Sequence, residues 1–224
     1  MGLMNPVQLM VWVLRGIAML LAIPLHEAAH AWVSDKLGDS TAKAMGRLTL
    51  NPLAHFEPLG ALCMIFAGIG WAKPVPVYPQ RYKNPKLGMA ISAAAGPLSN
   101  LLAAYFVTIL YKLAYFYTPD TIVFDLLLSF LRILILINVN LAVFNLLPIP
   151  PFDGSRIATV FLPRKLYFQI MQYERYIFIG MFLLLMLGVF DVPLSLMNNW
   201  MLNLLNQGTA FVDHMVYGAA GLAV

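Results

Sequence analysis

Long apolar runs dominate the chain, and the polar breaks between them are short. The three longest apolar runs and two shorter ones lie at 7–37, 87–117, 122–147, 176–190 and 193–205. Each of the three longest exceeds the roughly 20 residues that an α-helix needs to cross the hydrocarbon core of a bilayer. The apolar stretch at 59–71 is too short to span and predicts a re-entrant or interfacial segment. The pattern predicts an all-α polytopic membrane protein with about five transmembrane helices.

The region between the first two long runs, 38–86, is rich in proline and glycine. Strand-like alternation at 46–51 and 71–79 predicts a small extended or β element in this region. Three prolines restrict the second of these segments to an edge strand or an extended loop, since proline cannot donate to a sheet ladder. A short amphipathic helix is predicted at 156–172.

The composition agrees with a membrane protein. Hydrophobic residues make up 61% of the chain and charged residues only 11%, where a soluble domain has about 25% charged residues. The net charge of +4 is not gathered into a dense basic stripe, so no nucleic-acid partner is expected. The single cysteine, Cys63, excludes an internal disulfide and any site of two or more thiolates in one chain. A bound metal must therefore use histidine and carboxylate ligands.

Basic residues are distributed unevenly among the loops. Seven lie from Lys36, at the end of the first long run, to Lys86, directly before the second; none lies in 118–121, and four follow the third run. By the positive-inside bias, both basic regions lie in the cytoplasm and the N-terminus lies outside. The first run lacks the charged start and cleavage site of a secretory signal, so we expect it to be retained. These features predict a multi-pass protein of the plasma or inner membrane.

The strongest chemical signal is His26-Glu27-Ala28-Ala29-His30, in the first run. Helix positions i and i+4 lie on one face, so both imidazoles can bind one metal ion. Glu27 is placed to accept a proton from a metal-bound water, which Zn²⁺ acidifies to a pKa of about 7. The alternative is that the two histidines and the glutamate bind no metal. This alternative fits poorly with an apolar run, because unpaired polar groups are costly in a membrane. The spacing is the H-E-x-x-H pattern of zinc hydrolases.

A zinc site of this kind needs a third protein ligand, usually histidine or a carboxylate. The remaining histidines are His55 and His214, but Asp153 is the better candidate, because it follows the third run at the predicted cytoplasmic end. The topology places His26 and His30 at the same depth. The prolines before Asp153 leave backbone groups unpaired, which a membrane tolerates only where they are buried in protein or line a cavity. An ordinary Asp-Gly turn is the alternative.

The sequence resembles the site-2 protease family of intramembrane metalloproteases in its compact bacterial and archaeal form. The motifs that carry the resemblance are HEAAH at 26–30, NxxPxPxxDG at 145–154, and supporting segments at 51–60, 70–77 and 95–100. Together they cover residues 20–155. Two positions depart from the usual pattern: Phe152 stands where leucine is more frequent, and Glu57 where aspartate is usual. Neither bears on the metal-binding chemistry.

The resemblance implies a zinc-dependent metalloendopeptidase. It implies that His26, His30 and Asp153 bind one Zn²⁺ per chain, that Glu27 is the catalytic base, and that Asn145 holds substrate near the metal. His₂-carboxylate sites accept several divalent ions, so the choice of zinc depends on the resemblance.

We expect a single membrane-embedded protease domain over 1–224, with its core motifs at 20–155 and C-terminal helices at 174–206. No segment is long enough for an appended PDZ or CBS domain, so substrate selection is expected to come from the membrane core or a partner.

The expected reaction is hydrolysis of a peptide bond in, or near the cytoplasmic edge of, a transmembrane helix of another protein. Such a helix must unwind locally and bind as an extended strand. Val75 and Val77 are the candidates for the edge that binds it. The expected partners are a transmembrane protein substrate and the lipid bilayer, and the oligomeric state is left open.

Three other functions compete with this one. A membrane metal transporter also buries histidine and carboxylates, but it would distribute them along a path rather than at one end. A catalytically inactive binding relative is opposed by the intact Glu27. A zinc-dependent hydrolase of a lipid or small molecule stays open.

Several other polar residues have simpler explanations. His55 is expected to anchor its loop by hydrogen bonding. The asparagines within apolar runs are expected to hydrogen-bond between helices; besides Asn145, they are Asn100, Asn138 and Asn140. Lys112 lies within a run and is expected to reach the interface or to pair with an acid, for instance Asp125.

Overall fold

The structure is a computed structural model that describes residues 5–55, 57–58 and 72–219. All regular secondary structure in the described part is helical, without a strand. The helices are α1 (Pro6–Lys36), α2 (Thr41–Ala44), α3 (Pro52–His55), α4 (Pro85–Tyr117), α5 (Ile122–Asn145), α6 (Asp153–Ala158), α7 (Arg164–Gln172), α8 (Glu174–Met186), α9 (Asp191–Gly208) and α10 (Ala210–Ala219), with a 3₁₀ turn (Pro79–Arg81) before α4.

Polar side chains set the starts of α1 and α4. The Asn5 side chain accepts a hydrogen bond from the Val7 amide at 3.1 Å, and the Gln8 side chain accepts one from the Asn5 amide at 3.3 Å. This reciprocal pair is a capping box, which satisfies two otherwise unpaired N–H groups. Asn84 caps α4 by accepting from the Leu87 amide at 3.2 Å. Both helices also have proline at a starting position, where its missing N–H is not needed.

Among the described residues, three helices, α1, α4 and α5, are long and apolar enough to cross a membrane. A fourth span is present if α8 and α9, which are bent by 85° relative to each other, form one broken span. The break follows from Gly188, whose φ of +72° is the left-handed conformation that ends many helices and that glycine adopts most easily. The predicted count of about five spans is therefore not confirmed in the described part of the chain.

The connecting segments differ from prediction in two places. The helix predicted at 156–172 is two helices, α6 and α7, and Pro163 stands directly before α7, where it disfavours helical backbone in the preceding residue. Neither residues 46–51 nor residues 72–78 contain a strand, so the predicted β element is not confirmed. The predicted re-entrant segment at 59–71 lies outside the described residues. Helix α10 follows the last predicted apolar run.

The central helix, α4, is buried along a stripe of small and polar residues. It packs against both α1 and α5, and α1 also contacts α5. Every fourth residue along the buried stripe is small or polar: Ser92, Gly96, Asn100, Ala104, Thr108 and Lys112. The exposed stripe is apolar and includes Leu98, Leu102, Phe106 and Leu110. Small residues between helices and apolar side chains outside are typical of helix packing in a bilayer, so this arrangement indicates lipid at the exposed face of α4.

The C-terminal helices close the bundle on the side of α4 and α5. Ala104, Ile135, Val139, Val143 and Leu205 form one buried apolar cluster that joins α4, α5 and α9. Lys112 Nζ lies 2.5 Å from Asp213 Oδ2 and 3.3 Å from the Asn206 carbonyl oxygen. The expected pairing of Lys112 is therefore confirmed, but its partner is Asp213 on α10 rather than Asp125.

Candidate metal centre

Two imidazoles face the centre of the bundle from α1. His26 is 4% exposed and His30 is 8% exposed. Their Nε2 atoms lie 3.0 Å apart, because residues i and i+4 occupy neighbouring positions on one helix face.

Contacts with α4 set the orientation of both rings. His26 Nδ1 donates to Asn100 Oδ1 at 2.6 Å, and His30 Nδ1 donates to the Ser92 carbonyl oxygen at 2.7 Å. With the proton on Nδ1, a neutral imidazole presents the lone pair of Nε2. Both Nε2 atoms are therefore oriented as metal ligands, with the supporting hydrogen bond that such histidines need.

The third side chain of the centre comes from the segment after α5. Three prolines keep residues 146–152 from continuing the helix, and the rings of Phe144 and Phe152 pack at 4.3 Å between centroids. Asp153 then begins α6, and its Oδ2 lies 3.1 Å from His26 Nε2 and 3.2 Å from His30 Nε2. The structure thus brings together the three side chains that the sequence proposes as metal ligands.

The charge state of Asp153 also suits a metal ligand. Burial alone would raise the pKa of the Asp153 carboxyl, but hydrogen bonds and positive charge from the two imidazoles, when these are protonated, lower it well below its usual range. A carboxylate must be ionised to bind a metal, and Asp153 meets that requirement at neutral pH.

These three atoms lie close enough together to share one zinc ion. Bonds of about 2.0–2.2 Å at tetrahedral angles place ligand atoms about 3.3–3.6 Å apart, and the separations here are slightly shorter, at 3.0–3.2 Å. Two neutral imidazoles and a carboxylate at this distance need a shared proton or a bound cation between them, since their electron pairs otherwise repel one another. Within the described part of the chain, this is the one group of histidine and acidic residues placed to hold a metal ion.

Helix α4 approaches this centre closely through Gly96. A Cβ atom on Gly96 would lie 2.4 Å from His30 Nε2 and 2.6 Å from His26 Nε2, far inside van der Waals contact. Only glycine leaves room for both rings. The contacts of Ser92, Gly96 and Asn100 with the histidines were not predicted from sequence. Their spacing at i, i+4 and i+8 in an apolar helix was the signal that could have found them.

Asn100 also links three helices. Its Nδ2 donates to Asn138 Oδ1 on α5 at 2.8 Å and to the Ala22 carbonyl on α1 at 3.2 Å. The expected interhelical hydrogen bonds of Asn100 and Asn138 are confirmed, and these bonds direct Asn100 Oδ1 toward His26. Asn140, in contrast, is exposed.

The Glu27 carboxylate lies beside the proline-rich segment 72–78. Its Oε2 accepts a hydrogen bond from the Val75 amide at 3.2 Å. Val75 and Val77 are both half-buried. The structure therefore brings Val75, proposed from sequence as a substrate-binding residue, to the proposed catalytic base.

The other two residues singled out from sequence make local contacts. The Asn145 side chain donates to the Leu141 carbonyl of its own helix at 2.9 Å, rather than to His26, His30 or Asp153. His55 is 1% exposed, and its Nε2 donates to the Thr49 carbonyl at 2.9 Å, which agrees with the expected role as a loop anchor.

Asp39 contacts the far end of segment 72–78, and its ionisation makes the free energy of unfolding depend on pH. Burial alone would raise the pKa of this carboxyl, but hydrogen bonds from Thr41 and the Tyr78 amide and the charge of Arg81 lower it. A lowered pKa in the folded state stabilises the folded protein at any pH above the unfolded-state pKa of about 3.9. This stabilisation is lost as the pH falls through the folded-state pKa.

We expect the unfolding temperature of the wild type to fall more steeply below about pH 4 than that of Asp39→Asn. If calorimetry gave both proteins the same dependence of unfolding temperature on pH, this prediction would be contradicted.

Comparison with known proteins agrees with this centre. The model of the family described as peptidase family M50 matches residues 112–187, which include Asn145 and Asp153. YwhC of Bacillus subtilis, named as a candidate zinc metalloprotease, is 40% identical over 84% of this chain and 84% of its own.

Two mycobacterial relatives, both named as candidate zinc metalloproteases, match over a shorter range. Rip2 of Mycolicibacterium smegmatis is 36% identical over 60% of this chain and 52% of its own length. Rip2 of Mycobacterium tuberculosis is 30% identical over the same shares. No solved structure matches the chain. The similarity to YwhC along most of both chains, together with the family match, shows that this protein belongs to peptidase family M50, the site-2 protease family, and is a metalloprotease.

Proposed function

We propose that the protein is an intramembrane zinc protease. It hydrolyses a peptide bond in, or near the cytoplasmic edge of, a transmembrane helix of another membrane protein. The observation that carries this proposal is the convergence of His26, His30 and Asp153 within 3.2 Å inside a bundle with apolar outer faces. These three residues would hold one zinc ion per chain.

The chemistry requires a base beside the metal. A zinc ion held by these residues would supply an acidified water and polarise the scissile carbonyl. Glu27, next to His26 on α1, accepts the proton of the attacking water and passes it to the leaving amine. Water is the nucleophile, so no acyl-enzyme forms. Asn145 orients the oxyanion, because its amide carries a second N–H besides the one bonded to Leu141.

The substrate must be extended when it is cleaved, because a helix keeps its carbonyl groups hydrogen-bonded internally. We propose that the Val75 carbonyl, the Val77 main chain and both apolar side chains bind the unwound segment. Their half-buried positions beside Glu27 support this, since the Val75 amide is 3.2 Å from the carboxylate. The positive-inside bias supports an active site toward the cytoplasm and an N-terminus outside.

The decisive experiment compares wild type with Glu27→Gln in liposomes that contain single-span substrates. We expect cleavage to fall by about 10²- to 10⁴-fold, the usual contribution of a general base, with zinc content unchanged. Glutamine keeps the size of the side chain but cannot accept the water proton. Glu174→Gln, which removes a half-buried carboxylate on α8, is the matched control and should cleave normally.

Other results would favour the competing functions. Zinc flux that is unaffected by Glu27→Gln, without cleavage of any substrate, would indicate a transporter. Glu27-dependent hydrolysis of a lipid, but not of a peptide, would indicate a different hydrolase.

A further inference from the structure

Residues 72–78, here called the strap, pass beside the proposed base. The strap contacts Glu27 through one main-chain group, the Val75 N–H, which lies 3.2 Å from Glu27 Oε2. Its neighbours Pro74 and Pro76 have no N–H. Val75 is therefore the one residue from 74 to 76 whose main chain can donate a hydrogen bond.

A buried arginine holds the first half of the strap. Arg47 is 5% exposed, and its guanidinium donates to the carbonyl oxygens of Lys73 and Pro74. The Lys73 amide donates to the His55 carbonyl at 2.9 Å. These contacts fix the two residues that directly precede Val75.

A buried aspartate holds the other end. Asp39 has no exposed surface, and its Oδ2 accepts from the Tyr78 amide at 2.7 Å. Its Oδ1 accepts from the Thr41 amide at 3.1 Å and lies 3.3 Å from the Arg81 guanidinium. The strap is thus attached on both sides of Val75.

The hydrolytic mechanism uses neither Arg47 nor Asp39. Burial of a charged side chain is costly unless hydrogen bonds compensate it. Arg47 donates to the strap carbonyls, and Asp39 accepts from the strap at Tyr78 as well as from Thr41 and Arg81. Each residue therefore stabilises one part of the strap.

We propose that the strap positions the catalytic base. Arg47 and Asp39 hold the strap so that the Val75 N–H binds one oxygen of the Glu27 carboxylate and leaves the other to accept the water proton. A glutamate side chain has several rotatable bonds, and a donor on a fixed backbone confines it to one orientation before the reaction. This inference depends on the proposed function, and it makes Arg47 and Asp39 positioning residues.

A backbone ester at position 75 tests the proposal directly. Incorporation of α-hydroxyisovaleric acid replaces the Val75 N–H by oxygen and keeps the valine side chain. We expect kcat to fall about 10- to 100-fold, the usual effect of losing a hydrogen bond to a charged group, with KM and zinc content unchanged. Valine inserted by the same suppression method is the control. Unchanged kcat, or a raised KM with unchanged kcat, would overturn the proposal, and the second result would assign the N–H to substrate.

The hydrogen bonds from Arg47 to the strap offer a second test, through ordinary substitutions. Arg47→Gln loses the charged donor and should lower kcat about tenfold or more without loss of zinc. Arg47→Lys keeps a charged donor and should recover part of kcat. A general loss of stability would instead affect both variants and their zinc content together. Equal kcat for wild type and Arg47→Gln would contradict the proposal that the strap positions Glu27.

A distance measurement tests the same contact without activity. In solid-state NMR, the Val75 amide ¹⁵N and the Glu27 carboxyl ¹³C should show a dipolar coupling in the wild type that is lost in Arg47→Gln. No coupling in the wild type, or the same coupling in both proteins, would refute the inference. Failure of the proposed function would look different: the coupling would be present, but Glu27→Gln would leave hydrolysis unchanged.

Discussion

Substitution of Gly96 by alanine is expected to abolish zinc binding and proteolysis together. The new methyl group would lie 2.4 Å from His30 Nε2 and 2.6 Å from both Nε2 and Cε1 of His26. Either α4 moves away from α1, or both imidazoles leave the positions at which they face Asp153. Each movement also breaks the Nδ1 hydrogen bonds to Asn100 and Ser92. Loss of such a supporting bond by itself costs about 10- to 100-fold in metal affinity, so a larger loss is expected here.

The test of Gly96→Ala is metal analysis of the purified protein, followed by competition with a chelator and by cleavage in liposomes. Gly16→Ala is the matched control: Gly16 also lies in a long helix, and a Cβ there meets nothing within 4 Å. The control should bind zinc and cleave like the wild type. A Gly96→Ala protein with full zinc content would show that α4 does not confine the two imidazoles.

Asp153→Ala is expected to remove the metal and the activity by a different route. The carboxylate is the one negative charge among the three converging side chains, 3.1 Å and 3.2 Å from the two imidazoles. Without it, two neutral imidazoles remain, and a catalytic zinc site usually has three protein ligands. We expect zinc affinity to fall by well over the roughly 100-fold that a supporting residue contributes, with cleavage below detection.

Asp153→Asn separates charge from structure in this second prediction. It preserves the size and shape of the side chain at the start of α6, but it offers only a neutral amide oxygen. We expect zinc affinity between those of the wild type and Asp153→Ala. Asp120→Ala, at an exposed carboxylate between α4 and α5, should leave zinc and cleavage unchanged. Full zinc occupancy in Asp153→Ala would refute the role of Asp153 as a ligand.

The spanning helices could be predicted from sequence because their signals are local. The predicted runs at 7–37, 87–117 and 122–147 differ from α1, α4 and α5 by at most two residues at either end. Apolar length, proline and the capping asparagines act within a few residues of each helix end. The number of spans was harder to predict, because an apolar run does not reveal a bend such as the one at Gly188.

The sequence by itself determined which residues could perform the chemistry. The i, i+4 spacing puts His26 and His30 on one helix face whatever surrounds that helix. The proline-rich segment before Asp153 ends the third span, and the resemblance to the site-2 protease family identifies the acid as the third ligand. These inferences need only local geometry or comparison of motifs.

Only the tertiary structure decided how those residues are supported. The contacts of His26 with Asn100, of Glu27 with Val75 and of Arg47 with the strap join residues 74, 48 and 26 or 27 positions apart. Helical periodicity shows which side chains share a face, but not which two faces meet, because helix packing depends on side-chain shape along the entire interface. For this reason the roles of Gly96, Ser92 and the strap emerged from the packed bundle.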